Sequence, residues 1–451
     1  MSELRELARF IAGLGWEEVP EKVRDTARLL LLDNLGAALG AAKAPLPGAV
    51  AEVYLPLAGE KGRVSLWGQG KKAPLTTAVF LNALRGDALG LDDLHTGSKT
   101  HIGAVVIPAA WGLAEQLGKS GEELLLAVIC GYEAMARVGK ALGVSSHRKL
   151  GWHATATAGT FGAAAACGKL LGLDEDGMVS ALGLAGSQSF GVWAFLGDGT
   201  NSKSLNPARA AVSGCEAALL AKAGMTGPEQ ILTAPDGGLL TAMTREGDPS
   251  QVDRELGIVW EILRMDNRPY PCARSTHGAV DGALALRKEH GLDPGEIDWV
   301  WVDTYQVGYQ QCGCGEGSLR PRTPAQAKFS TPYCVACALL YGEVGLCHFT
   351  PEWVLKPEVR GLLPRIAVTE DAGLTAAYPG HWGSRVTVEC RDGRRLSAEI
   401  ADASGSVDNP LTREQVRAKA LGLIRESRGE RAQALVEDIL ALDRAAVLPE
   451  L

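Results

Sequence analysis

Aromatic side chains are scarce in this chain, 6% of 451 residues, and no apolar run reaches the length of a membrane span. The first scarcity argues against a core of stacked bulky rings, and the second against insertion into a bilayer. Basic residues are also in deficit. Lys and Arg total 45 against 53 acidic residues, so the net charge is -8 and no basic stripe is offered to a nucleic-acid backbone. The N-terminus from Met1 to Glu6 is charged and lacks the apolar centre of a signal peptide. Cysteines number ten, and Cys130, Cys167 and Cys215 fall inside apolar helical patterns as small core residues, so the expected home is the reducing cytoplasm.

What is abundant is glycine, 55 residues, together with alanine. Small side chains let helix backbones approach one another closely, so tight helix packing is expected. At this length two domains are expected. Pro20 opens a helix in which Val23, Ala27, Leu30, Leu31 and Leu35 recur at helical spacing. Ser120 and Glu123 form a capping box before the apolar run from Leu124 to Val138. Further helices are expected at Leu75 to Leu89, Ala104 to Leu117, Thr155 to Leu171 and Ala208 to Gly224, with no alternating strand pattern between them. Loops are expected at Leu89 to Gly103, Val144 to Thr155 and Gly197 to Pro207.

From Asp266 the texture changes. Ile297, Trp299 and Trp301 alternate with Asp298, Val300 and Val302, and Arg365 to Glu370 reads as a second strand. Val386 and Val388 lead to Asp392-Gly393, a dipeptide suited to a type I′ turn, and Leu396 to Ile400 returns. Helices are expected at Thr276 to His290, with Thr276 as its N-cap, and at Ala325 to Glu343. Ser404 to Pro410 reads as a linker, followed by helices at Thr412 to Glu426 and Arg431 to Leu442. The fold class is therefore mainly α: a helical domain from residues 1–265 and 408–451, and a smaller α+β domain from residues 266–407.

The polar residues that carry chemistry lie in loops. The first loop holds Asp92, Asp93, His95 and His101. No pair in it has the spacing of a zincin helix or an EF-hand, so no metal is expected, and the plainer reading is aspartates capping backbone N–H groups. The second loop carries Arg148, Lys149, Trp152 and His153 ahead of a helix whose N-terminus favours an anion. The third, Gly197 to Ser204, misses the P-loop pattern because Ser202 stands where glycine is required, so Lys203 reads as an anion-binding or acid/base lysine. Arg268 and Arg274 flank a Pro-Tyr-Pro-Cys-Ala segment. Cys312, Cys314, Cys334, Cys337 and Cys347 lack the spacing of a zinc knuckle, and Cys334 and Cys337 fall in an apolar helical pattern.

Taken in order, Asp92-Asp93 with His101, Gly151-Trp152-His153, Lys203, Arg268-Pro269-Tyr270-Pro271 with Ser275-Thr276-His277, and Ala327-Lys328-Phe329-Ser330 resemble the MmgE/PrpD family over nearly the whole chain. The family includes 2-methylcitrate dehydratase, cis-aconitate decarboxylase and iminodisuccinate epimerase activities. The resemblance implies a helical domain built from both chain ends, a smaller α+β domain, a homodimer, no cofactor and a small polycarboxylate substrate. It marks His101, His153 and Lys203 as catalytic, with Asp93 orienting His101, and matches Tyr309 to a site tyrosine of the decarboxylase branch. Arg268, where that branch has lysine, with Arg148, Arg274 and Asp92, would bind substrate. Gly90 stands where the decarboxylase has an aspartate, Arg148 near a tyrosine of the epimerase, and Ile102 where proline is usual.

The shared chemistry is proton transfer at a carbon beside a carboxylate. A dehydratase-like lyase is the first expectation. An epimerase of a dicarboxylate, a decarboxylase of a cis-aconitate-like acid and a silent polycarboxylate-binding protein are the alternatives.

Overall fold

The computed structural model describes residues 2–59 and 62–451, so Met1, at the head of the charged N-terminal segment, lies outside the described residues. The chain forms two compact units. Unit 1 comprises Met1–Gly197, Ser202–Asn267 and Thr412–Leu451, and unit 2 comprises Asp198–Asn201 and Arg268–Leu411.

Unit 1 is a helical assembly whose packing depends on small residues. The helices Gly121–Ala141 and Ala154–Leu170 cross where Gly131 meets Gly162. A Cβ on Gly131 would lie 2.9 Å from the Gly162 carbonyl oxygen and one on Gly162 2.7 Å from Met135 Cβ, so neither position admits a larger side chain without separating the helices. Ser120 and Glu123 form the capping box that their spacing predicts. From the C-terminal segment, Arg413–Arg428 lies against Glu21–Gly40, where a Cβ on Gly36 would come within 2.9 Å of Ala420 Cα.

Strands interrupt the helical unit, contrary to expectation. Val64–Leu66 pairs with Lys71–Ala73, and Leu94–His95 pairs with Met265–Asp266. Segments of two or three residues are too short to show an alternating pattern. The second pairing holds Asp266 in unit 1, beyond the residue at which the change of texture begins. Val144–Lys149, expected as loop, is a short helix. Among the described residues no single helix is long and apolar enough to cross a membrane.

Unit 2 holds a four-stranded sheet. Ile297–Thr304 is flanked by Ile366–Glu370, parallel to it, and by Ser384–Cys390, antiparallel, which pairs with the edge strand Arg395–Ile400. Helices His277–His290 and Thr331–Tyr341 supply Ala279, Val280, Ala283, Val335 and Leu339 to a core shared with Val300, Val302, Val386 and Val388. Trp299 and Trp301 are not on that face. The register shifts between Ile297 and Trp299, an irregularity that turns Ile297 inward together with Val300 and Val302.

Three local expectations fail, the third only in part, for identifiable reasons. The Asp392-Gly393 turn is not type I′, which needs positive φ at both central residues. Only Gly393 has it (φ 87), and Gly393 N–H donates to the Cys390 carbonyl at 2.9 Å, giving a longer loop closed by a left-handed glycine. The helix foreseen over Ala325 to Glu343 is two, Pro324–Lys328 and Thr331–Tyr341, because Ser330 caps the second by accepting from Tyr333 N–H. Thr276 holds the N-cap position of the helix His277–His290 but does not cap it with its side chain: its hydroxyl donates to the Ala273 carbonyl at 2.9 Å and a tight turn runs through it into the helix.

Candidate active site

Within unit 1 the first loop is pinned at both ends. His95 is fully buried between Ser98 Oγ (2.8 Å from Nδ1) and Glu261 Oε2 (3.2 Å from Nε2), a structural histidine fixing the strand pair. Asp93 is structural in its carboxyl group. Its Oδ1 accepts from Gly103 N–H (2.9 Å), capping the helix Gly103–Leu117, and its Oδ2 accepts from Tyr132 OH (2.6 Å). Burial pushes its pKa up to about 7, against the pull of those two donors.

The expectation that Asp93 orients His101 is therefore corrected. The carboxylate beside His101 is that of Asp92, fully buried, whose Oδ2 lies 2.9 Å from His101 Nδ1. Asp93 contributes only its main-chain carbonyl, 3.0 Å from the same nitrogen. The Asp93 carbonyl keeps the proton on Nδ1, the charge of the nearby Asp92 carboxylate favours it there, and the lone pair is left on Nε2.

His153 has the opposite arrangement. It immediately precedes the helix Ala154–Leu170, and Asn206 Nδ2 donates to its Nδ1 at 2.9 Å, which leaves Nε2 to carry the hydrogen. Its ring meets Trp193 edge-on, with centroids 4.9 Å apart, and Phe195 at 5.7 Å. Burial first, then the charges of Lys203, His101 and Arg148, hold its pKa well below the usual histidine value. The two histidine segments are tied together, since His101 N–H donates to Thr155 Oγ1 at 3.2 Å.

The cations that press on His153 have defined supports. Lys203 Nζ is ion-paired with Asp87 Oδ1, while Ser204 Oγ donates to Asp87 Oδ2 at 2.6 Å. Arg148, on the short helix Val144–Lys149, stacks its guanidinium 4.3 Å from the Trp193 ring centroid, and no carboxylate among the described residues pairs with it. Its buried Nε has no hydrogen-bond partner. Lys99 holds a left-handed backbone (φ 54), rare for a residue with a side chain, and burial followed by the charge of Arg148 lowers its pKa to about 8. Asp92, His101, Arg148, His153 and Lys203 are thus brought together, with the Asp93 carbonyl at the edge. His147 is structural, held by the Met243 carbonyl and Thr157 Oγ1.

Arg268, Arg274 and Tyr309 belong to unit 2. Arg268 and Arg274 are buried, the latter with its guanidinium 5.9 Å from the Trp382 ring centroid, and Tyr309 lies on the helix Gln306–Cys312 against the core of that unit. At Gly90 the backbone is left-handed (φ 71), so an aspartate there would be strained. Asp87, Asn206 and Lys99 have no prominence in the sequence reading. Lys99 lies inside the loop already singled out. Asp87 and Asn206 carry no local signal, because their partners Lys203 and His153 are 116 and 53 residues away.

The MmgE/PrpD N-terminal domain matches residues 5–251 and the MmgE/PrpD C-terminal domain residues 270–442. The cis-aconitate decarboxylase-like protein oryM of Aspergillus oryzae is 28% identical over 99% of this chain and 95% of its own length. Cis-aconitate decarboxylase of Aspergillus terreus is 26% identical over 97% of this chain and 93% of its own. The 2-methylcitrate dehydratase of Cupriavidus necator is 26% identical over 57% of this chain and 53% of its own.

Proposed function

Because the chain belongs to the MmgE/PrpD family, we propose that it is a lyase acting on a small polycarboxylate by proton transfer at a carbon beside a carboxylate, in the manner of a dehydratase. The observation that carries the reading is the opposed tautomers of His101 and His153 beside Arg148 and Lys203. His101 Nε2, backed by Asp92, takes the α-proton. His153, kept neutral by burial and the neighbouring cations, presents Nε2–H as a hydrogen-bond donor to the departing hydroxyl, which takes its proton from the Lys203 ammonium and leaves as water. Arg148, with a planar fork and no counter-carboxylate, binds a substrate carboxylate, and Lys203 adds positive charge where the enolate-like species develops. These steps need only side chains.

A second reading is decarboxylation of a cis-aconitate-like acid. It is favoured by relatives bearing that name that align along nearly the whole chain, whereas the dehydratases align over about half. In that reaction the base does not matter: loss of carbon dioxide leaves a carbanion that the Lys203 ammonium protonates while His153 Nε2–H hydrogen-bonds the enolate-like oxygen.

Arg268 and Arg274 as substrate-binding residues and Tyr309 as a catalytic one are proposals from the family resemblance, tested by Arg268→Met, Arg274→Met and Tyr309→Phe kinetics. A homodimer is likewise proposed, and sedimentation velocity tests it.

Incubation of the protein with citrate, 2-methylcitrate, cis-aconitate and iminodisuccinate in heavy water, followed by proton NMR, separates the readings. An alkene from a hydroxy acid supports dehydration. Loss of carbon dioxide from cis-aconitate supports the second reading, and α-exchange of iminodisuccinate with its skeleton intact would replace both with epimerisation. A folded protein inert to all four, yet binding them, would overturn the enzymatic reading in favour of a binding protein.

A further inference from the structure

Of the cysteines around the α+β core, Cys347 is exposed and adjoins both a histidine and a glutamate side chain. Among the described residues, Glu343, Cys347 and His348 offer a carboxylate oxygen, a thiol sulfur and an imidazole nitrogen that all lie within 4.8 Å of one another. They follow the helix Thr331–Tyr341, which ends at the left-handed Gly342, and the chain then turns through Leu346–Phe349. That tight turn places sequence neighbours 347 and 348 on the same side. Cys347 Sγ lies 3.5 Å from His348 Nδ1.

The spacing, that of a thiol–imidazole hydrogen bond, is also the one a shared metal ion needs. A tetrahedral zinc ion with Zn–S of about 2.3 Å and Zn–N of about 2.0 Å requires a sulfur-to-nitrogen distance of roughly 3.5 Å. Closing the carboxylate onto the same ion needs a movement of about 1 Å, within reach of an exposed glutamate side chain.

His348 is prepared for this role. The Gly345 N–H donates to Nδ1 at 3.0 Å, putting a lone pair on the nitrogen that faces Cys347. The Gly345 carbonyl, at 3.3 Å, is the weaker contact to the same atom. The ring is held edge-on to Trp353 with centroids 4.6 Å apart, and Tyr333 OH donates to the His348 carbonyl, which fixes the backbone. Its buried Nε2 has no hydrogen-bond partner. Lys356 sits on the Trp353 ring, 3.1 Å from the centroid.

We propose that Glu343, Cys347 and His348 form a binding site for a zinc-class divalent cation, with Cys347 as thiolate, His348 Nδ1 and a Glu343 oxygen as ligands. A fourth position is open to water. On binding, the Cys347 S–H proton is released to solvent, and the Gly345 N–H gives up Nδ1 for water.

Cobalt(II) is the probe, because a thiolate-bound, four-coordinate cobalt ion has a sulfur-to-metal charge-transfer band and intense visible transitions that a hydrated ion lacks. The full-length protein, stripped with chelator, is titrated with cobalt and then with zinc. One equivalent of cobalt is expected to develop both bands, and one of zinc to remove them. Cys347→Ser is expected to abolish the charge-transfer band and Glu343→Gln to weaken cobalt binding at least tenfold. Both residues are exposed, so the fold is preserved. Cys314→Ser, at another exposed cysteine, should change nothing. A wild-type titration without the charge-transfer band, or a band that survives Cys347→Ser, would overturn the proposal.

Discussion

His101 and His153 are the same residue in the same unit, linked through Thr155, yet their surroundings assign them opposite states. His101 is backed by the buried carboxylate of Asp92 and holds its hydrogen on Nδ1. His153 is backed by the amide of Asn206, pressed by Lys203, Arg148 and His101 itself, and holds its hydrogen on Nε2. The residue behind the ring, more than the ring, decides which histidine accepts a proton and which offers only a hydrogen bond. A base beside a neutral N–H donor is what a reaction that removes a proton and stabilises a departing or developing oxygen anion requires.

The sharpest way to break the comparison is to remove each ring in turn. His101→Gln and His153→Gln should each lower kcat by about 10²–10⁴ if the reaction uses both the base and the hydrogen bond to the departing hydroxyl. If the substrate is instead decarboxylated, His153→Gln should keep that loss while His101→Gln loses far less. Single-turnover kinetics with circular dichroism to check folding distinguishes the outcomes. Equal, small losses in both variants would remove the histidine pair from the mechanism.

Changing the backing residue is the next test. Asp92→Asn presents an amide to His101 Nδ1 in place of a carboxylate and frees the ring to take the other tautomer, so a loss of about 10²-fold in kcat with little change in KM is expected. Asn206→Asp performs the converse change on His153. A carboxylate at Nδ1 stabilises imidazolium, so the pKa of His153 should rise, visible as a shift of its ring resonances in NMR titration. An unchanged titration would show that the cations, not the amide, determine its state.

How much of this was legible beforehand depends on where each residue's partner lies. Capping at Ser120 is written within four residues, and its box forms as read, while a second box, Thr412 with Gln415, forms without having been singled out. The histidines, Lys203 and Arg148 stand out because they interrupt apolar stretches, and the family resemblance orders them. The exchange of roles between Asp92 and Asp93 could not be read. Adjacent residues in a loop differ by one main-chain rotation, and Tyr132, which claims the Asp93 carboxyl group, is 39 residues away. The strand irregularity before Trp299 was hidden for a similar reason, since Ile-x-Trp-x-Trp alternates perfectly until one residue is displaced. Asp87 and Asn206 were silent because an acidic or amide residue within or at the start of a helix looks like surface.

Removing the cation between the two loops is expected to act on binding more than on chemistry. Arg148→Met keeps the stem on Trp193 and deletes the fork. A lost bidentate carboxylate contact of about 1.5–3 kcal/mol corresponds to a KM raised roughly 10- to 100-fold. The same change relieves Lys99, whose pKa of about 8 owes part of its lowering to Arg148. Below about 8 Lys99 is charged and favours an anionic substrate, and above it that attraction fades. If Lys99 faces the substrate, kcat/KM of the wild type should fall as pH rises through about 8, and Arg148→Met should move that limb upward. Lys99→Met should erase it.

The smallest effect concerns stability and bears on the histidine comparison through its sign. The folded-state pKa of His153 lies below that of an unfolded histidine, about 6.5. Above pH 6.5 both states hold the ring neutral and no difference arises. As pH falls below 6.5 the unfolded chain takes up a proton that the folded protein refuses, so stability is lost progressively towards the lower folded-state value. His147 and His348, also lowered by burial, contribute in the same direction. His153→Gln should therefore make the urea-unfolding free energy less steep between about pH 5 and 6.5, by up to 1.36 kcal/mol per pH unit. Asn206→Asp, by raising the folded-state pKa, should reduce the slope as well while keeping the ring. A slope unchanged in both variants would mean that the acid sensitivity belongs to the other buried histidines, and that His153 is not the strained member of the pair.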